Sequence, residues 1–561
     1  MTSESLRLVT RVQAALRAPG MPFAVTTGPA GPRYTGGPRT LREFLDSTRA
    51  HGERPFLAGP GGTLDYAGFH ARAAVLARRL LGEYGLRPGD RMVIAMRNLP
   101  EWQIAFWAGQ AAGLVTVLLN AWWQSEELAY ALDDCAPALV VADAERADRM
   151  HPWFARRTGA APRLLTVGDR ARPGAERFED LPAPTGAPAL PDVPLDPEGD
   201  ATLIYTSGTT GRPKAVAATG SAWCAALLGP RFFAASAVLC AGGDLADVRP
   251  QTTLMTYPFF HVAAFSTLLP LMGHGGTAVL MHRWDPVEAL RLVERHRVTT
   301  FVGVPTTALG LLDAADLAGS ELPALRVIST GGAPAPPALA ARITARFAGR
   351  VEARNGYGLT ETCGGVLANL GDRYREHPDS VGRPNPGVEL RIAGPGGASV
   401  PDGEVGELWL RGQPVFRGYR GDPAATAAAF SDGWFRTGDL ARLRDGEVYV
   451  VDRLKDVVIR GGENVYCVEV EGVLCDHPAV ADAAVVGVPH PLLGEEVAAV
   501  VVLRPGTAAD EHGLRGHVAG RLAAFKVPAH LVFHPGPLPR NPIGKLLKRA
   551  LREQLTARPP G

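Results

Sequence analysis

The chain has 561 residues, too many for one hydrophobic core, so two or more domains are expected. Apolar residues make up 46% and charged residues 20%, the balance of a protein folded throughout. Because 58 Lys plus Arg nearly cancel 57 Asp plus Glu, no global field draws nucleic acid or an anionic membrane, and a small, locally recognised substrate fits better.

The opening Met1-Thr2-Ser3-Glu4 lacks the basic and then apolar layout of a secretory signal. No uninterrupted apolar run reaches the roughly 18 residues of a transmembrane segment, so a cytoplasmic protein is expected. Trp122-Trp123 reads as a core or interface contact rather than a stacking platform for substrate. Between about 182 and 199, Pro, Asp, Gly and Ala dominate and mark a connector. Cys135, Cys224, Cys240, Cys363, Cys467 and Cys475 are scattered without Cys-x-x-Cys or metal-ligand spacing, so reduced, structural thiols are expected.

After the connector, the apolar run Ala201 to Ile204 opens into Tyr205-Thr206-Ser207-Gly208-Thr209-Thr210-Gly211-Arg212-Pro213-Lys214. Short residues let backbone N–H groups approach phosphate oxygens, hydroxyls add donors and Lys214 adds a cation, so a polyphosphate such as ATP is the expected ligand. The Walker loop is excluded, because Pro213 precedes the lysine and Ala215 follows it. Two further apolar runs, 298 to 304 and 325 to 329, each lead to a Pro-started helical pattern, the second through Gly331-Gly332. Such alternation predicts parallel sheets covered by helices, with ligands at the carboxyl ends of strands. Beyond Pro386, the runs 406 to 410, 440 to 443 and 448 to 451, the last two joined at Asp445-Gly446, predict antiparallel strands of a β-rich subdomain. From Asp456, strands at 483 to 488 and 497 to 503 and helices near 468 to 475 and 514 to 523 predict a compact final unit, with the boundary at Arg453-Leu454-Lys455.

Three more segments accompany the loop: Tyr357-Gly358-Leu359-Thr360-Glu361-Thr362, Trp434-Phe435-Arg436-Thr437-Gly438-Asp439 and Asn541-Pro542-Ile543-Gly544-Lys545. In this order and spacing they resemble the adenylate-forming superfamily that includes acyl-CoA synthetases, luciferases and peptide-synthetase adenylation domains, over about Leu41 to Leu551. The resemblance implies an α/β fold. A large AMP-binding domain, 1–452, would combine helix-layered parallel sheets with the β-rich subdomain; a hinge at 453–455 would lead to a small mobile α+β domain, 456–561. It also implies a reaction in which an acid carboxylate attacks the α-phosphate of ATP and a thiol, usually of CoA, then displaces AMP. No protein nucleophile is needed, so positioning and charge neutralisation carry the catalysis.

Residue by residue, the resemblance puts Thr206, Ser207, Gly208, Thr209, Thr210, Gly211 and Lys214 on the phosphates, Thr360 on the α-phosphate and Glu361 on the Mg²⁺. Tyr357 would lie along the adenine and Gly358 would belong to the ATP/AMP site, with Gly332, Ala333 and Pro334 lining the adenine and acyl site. Asp439 would accept the ribose hydroxyls and Arg453 would contact ribose or phosphate. Lys545 would be carried to the carboxylate and α-phosphate by the small domain, turning about Lys455, after which Gly461, Gly462 and Glu463 would line the tunnel for the thiol. His261, after Pro258-Phe259-Phe260, would gate entry of the acid, and Ala263 and Ala264 would leave room for an apolar one.

Ala215 and Gly220 depart from the family pattern behind the loop, and Cys467 replaces a usual proline. The expected activity is that of an acid–thiol ligase for a medium- or long-chain fatty acid, using ATP, Mg²⁺ and CoA. An aryl-acid ligase, transfer to a carrier protein or amine, activation of another oxyanion such as nitrite, and a non-enzymatic nucleotide sensor stand as alternatives. Oligomeric state is left open, a homodimer included.

Overall fold

The computed structural model describes residues 3–59, 61–157, 161–168, 172–206, 212–245, 248–541 and 544–556. Two large sheets form its framework. The first has eight strands, and its centre, Asp200–Thr206, Val115–Leu118, Arg91–Ala95 and Leu139–Asp143, is parallel. These strands are near-continuous apolar runs because both faces are buried, as a helix-covered parallel sheet requires. The second sheet has nine strands, and Glu352–Leu359, Val327–Gly331, Thr300–Gly303, Thr252–Met255, Thr277–Leu280 and Pro55–Gly59 run parallel within it. Helices Tyr66–Gly82, Pro100–Ala111, Gly220–Cys240 and Val262–Gly273 share one core with strands of both sheets.

The parallel direction has a consequence for function. Arg97 and Trp122 follow the carboxyl ends of strands in the first sheet, where Thr206 also lies. His261, Val304 and Gly332 follow the carboxyl ends of strands in the second. Contacts such as the Trp122 and Phe260 rings, 5.2 Å apart at their centroids, bring the two sets of ends to one crevice.

Gly220–Cys240 is long and apolar enough to cross a membrane by composition, although Arg231 interrupts its apolar run. Its apolar surface is packed inside the fold, with Trp223, Cys224, Ala225 and Leu227 buried. Thr219 caps it by accepting from the Ala222 N–H. Gly220, the second departure noted from sequence, is its buried first residue.

The expected β-rich subdomain is a five-stranded antiparallel sheet containing Val388–Ala393, Gly406–Gly412, Trp434–Arg444 and Glu447–Arg453. Asp445 (φ 54°) and Gly446 (φ 74°) make the hairpin turn expected from that dipeptide. The strand before the turn is longer than expected and absorbs the segment Trp434 to Asp439, because Gly438 (φ 72°) breaks the in-out alternation where the register shifts against Gly406–Gly412.

The last unit is a separate five-stranded sheet in which Val480–His490 pairs antiparallel with Gly494–Leu503. Ala483, Val485, Val497 and Val501 face helices Cys467–Cys475 and Glu511–Ala519, while Ala484 and Val500 face Lys548–Thr556. The second helix starts and stops earlier than expected, since Asp510 caps it through the Gly513 N–H and Gly520 follows its end.

One close approach ties the strand Glu352–Leu359 to its neighbour. A Cβ at Gly358 would fall within the Gly364 carbonyl group, at the bulge between Glu352–Leu359 and Gly364–Leu370. Gly358→Ala is expected to destabilise the protein by about 1–3 kcal/mol through overpacking against backbone. A lowered thermal unfolding midpoint checks this, and a midpoint equal to that of the parent contradicts it.

Candidate active site

Asp439 sits on the β-rich sheet directly opposite Arg453, and it is buried. The Arg453 guanidinium lies 3.1 Å from Oδ1, and the Tyr357 hydroxyl donates to Oδ2 at 2.6 Å. Burial, followed by the charge of Asp439, raises the Tyr357 pKa, so the phenol stays a donor. Three residues expected at the site from separate sequence segments are therefore joined by one hydrogen bond and one ion pair. Each carboxylate oxygen keeps a second acceptor direction for an incoming hydroxyl.

Glu361 stands in the turn Thr360–Thr362 that ends the Tyr357 strand. Its backbone carbonyl accepts from the Phe416 N–H at 2.8 Å, and its Oε1 accepts from the Tyr419 hydroxyl at 2.9 Å. Burial raises its pKa above the ordinary carboxylate value, against the lowering effect of its hydrogen bonds. Tyr419 was not foreseen. It lies on the two-residue strand Gly418–Tyr419, whose partner Lys214–Thr219 begins at the lysine of the phosphate loop. The Lys214 ammonium lies 5.2 Å from the Tyr419 ring centroid and 3.8 Å from Asp422. Tyr419 thus links the loop lysine to the candidate metal acid, a relation carried only by strand pairing.

Thr206 pairs with Lys214 across antiparallel strands. Ser207, Gly208, Thr209, Thr210 and Gly211 lie outside the described residues. Ala215, the first departure, pairs opposite Tyr205 and is buried in that sheet.

Lys545 comes from the other side. Asn541 shapes its turn, accepting the Lys545 N–H at 2.9 Å on Oδ1, and Gly544 adopts φ 82°. A Cβ at Gly544 would lie 3.0 Å from Val304 Cγ2, and one at Gly332 would lie 3.9 Å from Val304 Cγ1. Val304 is therefore the surface on which the tail turn docks beside the Gly332 segment, another residue that sequence reading passed over. In that segment Ala333 is partly buried and Pro334 exposed.

Burial and the charges of Arg453 and Lys455 lower the Lys545 pKa to about 8, opposed by Asp439 and Asp456. His261 caps helix Val262–Gly273, its Nδ1 accepting from the Ala263 N–H at 3.1 Å, which leaves the ring proton on Nε2. Burial and the Lys545 charge lower its pKa to about 4, so it is neutral at physiological pH and available as a donor. Ala263 is partly exposed, whereas Ala264 is enclosed in the core, so of the pair expected to leave room for an acid only Ala263 borders open space.

The segment Arg453-Leu454-Lys455, expected to act as a hinge, follows Asp452, whose carboxylate accepts from the Arg453 N–H at 2.7 Å and from the Cys467 N–H. Cys467 also donates its thiol to the Asp456 carbonyl at 3.0 Å, which accounts for a cysteine in the usual place of proline. Lys455 is exposed. Gly461 and Gly462 form an exposed turn between Val458–Arg460 and Glu463–Val465, with φ 61° and 91°, and Glu463 opens the second strand, also exposed. These last three are not gathered with the other candidates.

Among the described residues no group of three or more His, Cys, Asp or Glu could cage a metal ion. One carboxylate with a free oxygen nonetheless suits a Mg²⁺ that arrives with nucleotide phosphates and keeps several waters. Glu361 Oε2 fits that description.

The AMP-binding enzyme family matches residues 44–420, and the C-terminal domain of AMP-binding enzymes matches 469–545. A feruloyl-CoA synthase of an Amycolatopsis species is 38% identical over 500 residues, spanning 88% of this chain and 94% of its own. A long-chain-fatty-acid–CoA ligase of Mycobacterium tuberculosis is 32% identical over 503 residues, spanning 88% and 94%. The amide bond synthetase of Marinactinospora thermotolerans superposes with a TM-score of 0.81 at 30% identity, covering 92% of this chain and 100% of that one. The chain belongs to the AMP-binding enzyme family and is an adenylate-forming ligase.

An ammonium at Lys545 could neutralise phosphate charge only while protonated, and its pKa of about 8 places the loss of charge just above physiological pH. Acid-dependent kcat/KM for ATP is expected to fall as pH rises through about 8, since that ratio reports the free enzyme. In Lys545→Arg this limb is expected to move beyond the accessible range, because guanidinium stays charged. An identical alkaline limb in both proteins contradicts the assignment.

Proposed function

We propose that this member of the AMP-binding enzyme family is an ATP-dependent carboxylic acid:CoA ligase. The observation that carries the reading is the meeting, in one crevice, of Lys545 from the tail with Asp439, Arg453 and Tyr357 and with His261. Asp439 would hold the ribose, and Tyr357, Gly332, Ala333 and Pro334 would border the adenine. Thr206, Lys214, Thr360 and the segment Ser207 to Gly211 would face the phosphates. Glu361 would hold a Mg²⁺, which when bound neutralises phosphate charge.

In the first step an oxygen of the acid attacks the α-phosphorus, the bond to the bridging oxygen breaks, and pyrophosphate leaves with its electron pair. Lys545 neutralises charge on the α-phosphoryl and carboxylate oxygens, and His261 donates from Nε2 to the carboxylate. In the second step the CoA thiol gives its proton to solvent, the thiolate sulfur attacks the carbonyl carbon of the acyl-adenylate, and the acyl C–O bond breaks so that AMP departs with its electron pair. For that step the small unit would turn about Lys455, withdrawing Lys545 and bringing Gly461, Gly462 and Glu463 to the thiol. The sequence division into 1–452, 453–455 and 456–561 describes that motion.

The acid is apolar along its body, supported by the Trp122 and Phe260 rings and the Ala263 position. A medium- or long-chain fatty acid remains within that class. The aromatic wall and the 38% identity to a feruloyl-CoA synthase favour an aryl acid. Likeness to an amide bond synthetase supports a second reading, in which an amine takes the acyl group. A cytoplasmic enzyme would meet ATP and CoA directly.

AMP formation from ATP with fatty and aryl acids, with CoA or an amine as acceptor, tests the reading, and a CoA thioester by mass is the expected product. Release of no pyrophosphate with any acid contradicts it. Lys545→Ala is expected to lower acid-dependent pyrophosphate exchange by about 10² to 10³. Thioester formation from preformed acyl-adenylate should change far less, and equal losses in both half-reactions contradict the two-position role.

A further inference from the structure

Arg97 follows the strand Arg91–Ala95 at the carboxyl end that faces the crevice, and its guanidinium lies 4.6 Å from the centroid of the Trp122 ring. Trp122 is only partly buried, and its other contact, the Phe260 ring 5.2 Å away, adjoins His261. The series Arg97, Trp122, Phe260, His261 thus runs away from the reacting centre along one wall.

The carboxylates near Arg97 are already taken. Asp143 pairs bidentately with Arg146, at 2.7 Å to each oxygen, and accepts the Arg97 backbone N–H at 3.0 Å. Glu145 lies 2.8 Å from Arg146 and pairs also with Arg149. Arg146 and Arg149 further hold the Trp122 turn by donating to the Ala121 and Trp123 carbonyls at 3.1 and 2.9 Å. Arg97 Nε and Nη1 are buried, and among the described residues no group accepts from either. A guanidinium whose buried N–H groups lack acceptors is costly unless another molecule supplies them. Its ring partner is meanwhile fixed in place by two neighbouring arginines.

We propose that Arg97 recognises a second oxygen acceptor, a carboxylate or ketone, at the end of the acyl substrate remote from the reacting carboxylate. Trp122 and Phe260 flank the apolar body between the two ends. This rests on the ligase reading above and narrows its substrate to acids oxygenated at both ends. It also gives Trp122, read from sequence as a core or interface contact, a place beside substrate.

The test compares acid-dependent pyrophosphate release in two matched series: decanoic acid, its terminal methyl-ketone analogue and decanedioic acid; and cinnamic acid with para-carboxycinnamic acid. The enzyme is expected to favour an oxygenated member in kcat/KM by about 10- to 100-fold, mainly through KM. In Arg97→Met that ratio is expected to fall to near one, and Arg97→Lys should retain part of it. A ratio near or below one in both series for the unaltered enzyme overturns the proposal, as does an unchanged ratio in Arg97→Met. Should Arg97→Met not fold, the unaltered enzyme and Arg97→Lys decide it. Turnover of acids without preference removes this inference alone, whereas turnover of none overturns the ligase reading beneath it.

Discussion

The structure turns on one docking contact, the tail turn at Gly544 against Val304, which carries the Lys545 ammonium into a crevice made by the rest of the chain. That ammonium sits among Arg453 and Lys455 with Asp439 and Asp456 opposite, and this company together with burial makes its charge easier to lose. Such a site is incomplete alone. On the proposed reading a polyphosphate would restore the balance that the fold withholds, and nucleotide binding and tail docking would then reinforce each other.

The walls of that crevice are placed by strand direction. Parallel strands of two sheets end at the same crevice, delivering His261, Val304 and Gly332 from one sheet and Thr206, Arg97 and Trp122 from the other. The antiparallel β-rich sheet adds Asp439 and Arg453 as cross-strand partners, a short step before the chain enters the last unit. Asp452, bonded to N–H groups on both sides of that step, makes the crossing point a defined joint rather than a loose linker.

Residues whose chemistry is local were legible in the sequence. Asp445-Gly446 stood out by the backbone conformation that such a turn demands. Asp439 and Lys545 stood out through the motifs around them. Strand limits were less legible, as at Trp434–Arg444, where the Gly438 bulge disguises one continuous strand. Tyr419, Val304 and Arg97 left no trace in spacing or composition, because each matters through a partner far away in sequence: Glu361, Gly544 and the Trp122 turn. Ala264 misled for the complementary reason, since a small residue on a helix opens space only on the face that turns to the crevice.

The measurement closest to the central claim is proton uptake on ATP binding, by calorimetry in buffers of different ionisation enthalpy at about pH 8.5, just above the Lys545 pKa of about 8. Binding is predicted to draw in a large fraction of one proton, and Lys545→Met to abolish that uptake. Binding without uptake, or the same uptake in Lys545→Met, would contradict the account.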